Sequence, residues 1–213
     1  MDISIYYKNI YANNLEVGLR RYLPEFACDV LFDKFECFGS EKNDCSTMFF
    51  YRNVNKDVVY YKNVMYDTET CRRTGRVVSS HGFQKCIYLE WLLTEEFSKN
   101  FEVWLVESEK TALFCNILAE IDSHKKIYLA VGGDCLGRNQ LTDECIDLLK
   151  KRSVKIAFDN DKAGINGAIK TRAILFELGI SNYIMAPISR IENDKSDLFD
   201  IYLKEIIDRN ERK

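Results

Sequence analysis

The sequence predicts an α/β protein: a parallel sheet flanked by helices in the second half, preceded by a small α+β subdomain in the first. Three observations predict it. From residue 101 onward, short apolar runs alternate with segments of helical periodicity, the pattern of strand–helix–strand units whose sheet is covered on both faces. Before residue 100 the β signal is different in kind, with aromatic and β-branched runs joined by a polar turn. The composition, 46% hydrophobic and 30% charged over 213 residues with ten Gly and only two Pro, suits a soluble globular chain of one large or two small domains. A boundary is therefore expected near residue 100, with an α+β unit over 1–100 and an α/β unit over 101–213.

The front elements come first. Residues 14–22 read as a short helix capped at Asn13 or Asn14. Residues 48–54 and 58–66 read as strands around Asn55-Lys56-Asp57, a hairpin signature. Residues 83–97 read as a helix burying Ile87, Trp91 and Leu92. In the second half, 103–106 is a strand, and 109–120 is a helix with Ala112, Leu113, Asn116, Ile117 and Glu120 at 3.6-type spacing. Residues 127–131 form the next strand, ending in Gly132-Gly133-Asp134. A helix over 140–151 carries Leu141, Cys145, Leu148 and Leu149 on one side. Then follow a strand over 154–158, a helix over 163–178 closed by Gly179 at its C′ position, a strand over 183–186 and a last helix over 197–208. No internal repeat or low-complexity stretch interrupts this order.

Composition excludes several classes. No apolar run approaches the ~18 residues that a membrane span needs, and Met1-Asp2-Ile3-Ser4 lacks the basic start and apolar core of a signal peptide. A cytoplasmic chain without membrane contact is expected. The eight cysteines are scattered with no C-x-x-C pair, which argues against structural zinc. Cys115 and Cys145 fall on helical patterns as small buried hydrophobes, and the other cysteines read as free thiols. His81 and His124 sit in polar stretches and read as surface residues. A net charge of −3 does not advertise nucleic-acid binding. Local clusters at Arg20-Arg21, Arg72-Arg73 with Arg76, and Lys150-Lys151-Arg152 with Lys155 permit nucleic acid without demanding it.

The chemistry concentrates where strands stop. Asp159-Asn160-Asp161 follows the apolar run 154–158 and precedes Lys162-Ala163-Gly164. Carboxylates at i and i+2 on an extended segment project the same way, and their repulsion is relieved by a hard cation such as Mg²⁺. The same residue types also suit a plain helix N-cap. Glu107 ends the apolar run 101–106 in the same layout. In open α/β sheets ligands bind outside the carboxyl ends of the strands, so Glu107, Asp159 and Asp161 converge if their strands are neighbours. The stretch Gly132 to Asn139 has the glycine spacing of a P-loop, but Arg138-Asn139 replaces the required Lys-Ser/Thr. It reads as a strand-to-helix turn.

Val106-Glu107, the strand ending in Gly132-Gly133, and Phe158-Asp159-Asn160-Asp161-Lys162-Ala163-Gly164 together resemble the Toprim domain of bacterial-type primases, topoisomerases and several nucleases. The likeness covers residues 101–208. The phrases Val106-Glu107-Ser108-Glu109-Lys110-Thr111-Ala112 and Lys62-Asn63-Val64-Met65-Tyr66-Asp67 with Arg72-Arg73 further resemble primase-like Toprim proteins of Bacteroides-type genomes and mobile elements. The resemblance implies a Toprim (Rossmann-like) sheet and a Mg²⁺ or Mn²⁺ cofactor. It implies DNA or RNA and nucleotides as partners, with a helicase or other replication protein beside them. Glu107 would be the general acid/base, Asp159 and Asp161 would hold the ion with it, and Gly132 and Gly133 would admit a phosphate. Lys110, Lys162, Arg72 and Arg73 would contact phosphate or nucleic acid, and Asp197 and Asp200 resemble a further acidic motif. Primase-like nucleotidyl transfer is the expected activity, with a binding module or a nuclease as the alternatives. Two plainer readings stand beside these: an i,i+3 pairing of Lys110 with Glu107, and an Asp197 placed for the helix dipole.

Overall fold

Asn13 accepts the Glu16 N–H at 2.9 Å and thereby starts α1, Asn14–Leu19. The computed structural model describes residues 13–40, 45–80, 86–185 and 196–212. They fall into two compact units, the first of residues 1–50 and 60–83, the second of residues 51–59 and 84–213.

In the first unit α1 is followed by α2, Glu25–Lys34, which the sequence reading did not anticipate. Pro24 at its N-cap supplies a preset φ of −57°. Ala27, Cys28, Leu31 and Phe32, spaced as one helical face, are buried. The sheet has four strands in the order β1 (Cys37–Ser40), β2 (Ser46–Arg52), β3 (Val58–Tyr66), β4 (Arg73–Ser79). β1 pairs antiparallel with β2, and β3 with β4. β2 and β3 are the two strands expected at the hairpin. β1 is four residues long and β4 reads Arg-Thr-Gly-Arg-Val-Val-Ser, so neither carries an alternating apolar pattern, and both lie at the sheet's edges.

The second unit is built on a parallel sheet in the order β6 (Lys126–Ala130), β5 (Glu102–Val106), β7 (Val154–Ile156), β8 (Asn182–Ile184). The helices between and after the strands are α3 (Glu109–Ile121), α4 (Asp143–Lys150), α5 (Lys162–Glu177) and α6 (Leu198–Glu211). Val103, Leu105, Leu129, Ile156, Leu113, Ile117 and Leu175 are fully buried, each stabilising the fold by about 1.5–3 kcal/mol on the usual transfer scale. Gly179, at φ +74°, closes α5, with its N–H on the Phe176 carbonyl and the Ile180 N–H on the Leu175 carbonyl.

The outer edge of β6 is occupied. Asn116 of α3 donates to the Tyr128 carbonyl (2.7 Å) and accepts the Tyr128 N–H (3.0 Å). Tyr88 exchanges both backbone hydrogen bonds with Ala130. Groups that would otherwise recruit another strand are thus satisfied.

Two helices differ from expectation. Residues 83–85 lie outside the described residues, and from Cys86 onward the expected helix is instead the Tyr88 bridge followed by 3₁₀ turns at Glu90–Thr94 and Glu96–Ser98. Leu89 at φ +64° blocks helix propagation, because left-handed backbone cannot continue a right-handed helix. Ile87 and Leu92 are buried, whereas Trp91 is only half-buried beneath the Lys56 ammonium, 5.8 Å from its ring centroid. The helix expected over 140–151 begins later, at Asp143 behind the Thr142 cap. Gln140 closes a 3₁₀ turn, Arg138–Gln140, accepting the Gly137 N–H and donating to the Val131 carbonyl.

The strand ends at 157–158 are irregular and residue 186 lies outside the described residues, as does His81. His124 is exposed. All eight cysteines are free thiols, six of them buried, Cys115 and Cys145 included. Among the described residues no helix is long and apolar enough to cross a membrane.

Candidate functional site

β5 and β7 are hydrogen-bonded neighbours, so the acids that follow them meet. The Asp159 backbone N–H donates to Glu107 Oε1 at 3.0 Å. Gly164 makes this approach possible: a Cβ there would overlap the Asp159 carbonyl and stand 2.7 Å from Glu107 Oε1. Gly167, one turn on, lies against the Asp134 carbonyl, where a Cβ would again overlap. Asp161 is the N-cap of α5, its Oδ1 accepting the Gly164 N–H at 2.9 Å. The capping role that the sequence allowed is therefore real for one of its oxygens.

The second acidic pair arrives from α6. Asp197 caps that helix, its Oδ1 accepting the Asp200 N–H at 2.9 Å, while Asp200 Oδ2 faces the Asp197 N–H at 3.4 Å. Asp197 Oδ2 accepts the Thr111 hydroxyl at 2.6 Å. The Asn160 N–H donates to the Ser196 carbonyl, tying the β7 end to the start of α6.

Burial first, and crowding of like charge after it, raise two carboxyls of the site. Burial, then the charge of Asp159, pushes Glu107 up to about 8; the Asp159 N–H opposes this, and Asp161 and Asp134 add to it. Burial, then Asp197, Asp161 and Asp200, pushes Asp159 up to about 7, with Lys110 opposing. Among the described residues no group of three or more His, Cys, Asp or Glu side chains is drawn together as a ready-made metal cage.

The remaining expected residues divide. Lys110 acts electrostatically on Asp159, and its ammonium lies 3.7 Å from the Phe199 ring centroid. The Gly132 N–H is spent on the Glu107 carbonyl (2.9 Å), with Gly132 at φ +73°; Gly133 is exposed with open space beside it. Lys162 is exposed on the first turn of α5. Arg72 and Arg73 are exposed in the first unit. Sequence reasoning missed Thr111, Asp134, Gly164 and Gly167. The Gly-x-x-Gly spacing opening α5 was an available signal for close backbone approach, whereas Thr111 meets Asp197 across 86 residues and leaves no local trace.

The fold has known counterparts. The DnaG catalytic core superposes with a TM-score of 0.63 at 11% identity, over 97% of this chain and 76% of that one. The E. coli primase catalytic core gives 0.61 at 13%, over 97% and 75%. The primase fragment of the bacteriophage T7 primase–helicase gives 0.56 at 14%, over 84% and 67%. These likenesses establish the Toprim-type parallel sheet flanked by helices. Residues 13–160 match a family described as Domain of unknown function (DUF6371). No curated protein matches the sequence.

Proposed function

The chain belongs to the DUF6371 family, and on that premise we propose a Mg²⁺- or Mn²⁺-dependent site for primase-like nucleotidyl transfer, acting on nucleotides along a DNA or RNA strand. The observation that carries this reading is the contact of Glu107 Oε1 with the Asp159 N–H, at the carboxyl ends of adjacent parallel strands. Ligands of open α/β sheets bind at that edge.

The donor set fits a hard cation. All the candidate ligands are carboxylate oxygens, and beside burial the neighbouring acids raise the proton affinity of Glu107 and Asp159, a repulsion that a divalent ion relieves. Mg²⁺ takes one or two carboxylates together with water and substrate phosphates, so an open acidic rim suits it better than a closed cage. When bound, the ion would neutralise phosphate oxygens and polarise the attacking oxygen. Asp159 and Asp161 are assigned to hold it, with Asp197 and Asp200 completing the charge. Glu107, with its carboxyl pushed to about 8, is matched to accepting and returning a proton near neutral pH. Lys110 and Lys162 are assigned to phosphate, with open space beside Gly133, and Arg72 and Arg73, in the first unit, are assigned to nucleic acid. The known structures include a DnaG primase catalytic domain bound to ssDNA, which supports a single-stranded template. Replication of a mobile element or phage, beside a helicase, is the setting that we assign.

A product gel tests the reading, with single-stranded template, nucleotides and either metal. Template-dependent oligoribonucleotides are expected, and none from Asp159→Asn/Asp161→Asn. Cleavage of the template without synthesis would instead assign a nuclease, and neither product a binding module.

A further inference from the structure

Thr111 occupies the third position of α3, where a capping box would place Glu or Gln reaching back to the cap. Its side chain does something else. The Ser108 oxygen accepts the Thr111 N–H (3.2 Å), and the two hydroxyls lie 2.8 Å apart. The Thr111 hydroxyl donates to Asp197 Oδ2 at 2.6 Å. An ionised carboxylate only accepts, so the order is fixed: Ser108 donates to Thr111, and Thr111 donates to Asp197. Thr111 is buried and Asp197 half-buried, so this hydrogen bond is partly shielded from water. Around it, Phe114 and Phe199 pack at 4.8 Å between ring centroids, pinning the first turn of α6 to α3.

Because Asp197 Oδ1 is held by its own helix, Thr111 is the one group among the described contacts that fixes Oδ2 from another element. We infer that Thr111 is a positioning residue, holding Asp197 so that its carboxylate completes the acidic rim for a divalent cation. The inference rests on the cation site proposed above.

Manganese titration by calorimetry on the full chain tests it. Thr111→Val keeps the shape and removes the hydroxyl; affinity is expected to weaken about tenfold, the lower end for residues supporting metal ligands. Thr111→Ser restores the hydroxyl and is expected to bind within about threefold of wild type. Thr111→Val placed on Asp197→Asn is expected to add nothing, since the two act through one carboxylate. Unchanged affinity in Thr111→Val, or an equal loss in the Asp197→Asn background, would overturn the inference while leaving the site standing. If wild type binds no manganese, or Asp159→Asn/Asp161→Asn binds as tightly as wild type, the cation site itself falls.

Discussion

Glu90 has no exposed surface, yet it carries an ionisable group. Its Oε2 accepts the Ile87 N–H at 3.3 Å, and burial pushes its carboxyl from 4.5 up to about 7. Its consequence for stability has a definite sign. Below pH 4.5 folded and unfolded chains both hold the proton, and between 4.5 and 7 only the folded chain does. Glu90 therefore contributes stability at low pH that is lost as pH rises through about 7, a swing of about 3 kcal/mol. Glu107 and Asp159 slope the same way, so the test is a difference. Urea unfolding at pH 5 and pH 8 should show Glu90→Gln gaining on wild type at the higher pH; a constant difference between the two proteins would refute it. The sequence pointed to the acids at the strand ends and not to the groups packed around them. Glu107 and Asp159 stand out because each follows an apolar run, and Asp161 because it stands two residues after Asp159. Gly164 and Thr111 act through partners that only the folded chain brings near.

The helix α5 poses a question of its own, because Asp161 is both its N-cap and a candidate ligand. Substitution separates the roles. Asn caps about as well as Asp, whereas Ala does not and costs about 1 kcal/mol. Asp161→Asn should therefore melt close to wild type but bind manganese weakly, and Asp161→Ala should lose both. If Asp161→Asn keeps full manganese affinity, its carboxylate is a cap alone. Elements with a strong period were legible, among them β3, β5, β6, α3 and α5. Most of those that failed did so for physical reasons. β1 and β4 are short or polar edge strands, α2 was missed although Pro24 is a start signal for it, and the segment after Cys86 looks helical in its apolar spacing. That spacing was overridden by Leu89 in left-handed backbone and by the bridge that Tyr88 makes to β6. Asn116, which fits the helical pattern, is committed to the β6 backbone, so periodicity located it and tertiary structure explains it.

For the molecule as a whole, the balance of charge gives a test of the proposed nucleic-acid binding. The chain carries −3 at pH 7, and the edge where β5, β7, α5 and α6 deliver their acids concentrates negative potential. On the proposed reading, ionised acids there repel phosphate until a divalent cation intervenes. The affinity for single-stranded DNA should therefore rise with Mg²⁺ at constant ionic strength, a constraint needed because salt alone weakens phosphate contacts. Asp159→Asn/Asp161→Asn should abolish that dependence. Without metal it should bind DNA more tightly than wild type, because repelling carboxylate charge is removed, and added Mg²⁺ should then change its affinity little. Each difference is expected to be severalfold, about 1 kcal/mol. Fluorescence anisotropy of a labelled oligonucleotide in EDTA and in Mg²⁺ reads all four affinities. Equal affinities for wild type in both buffers would mean that DNA is held away from this edge, and the acids would then serve the fold alone.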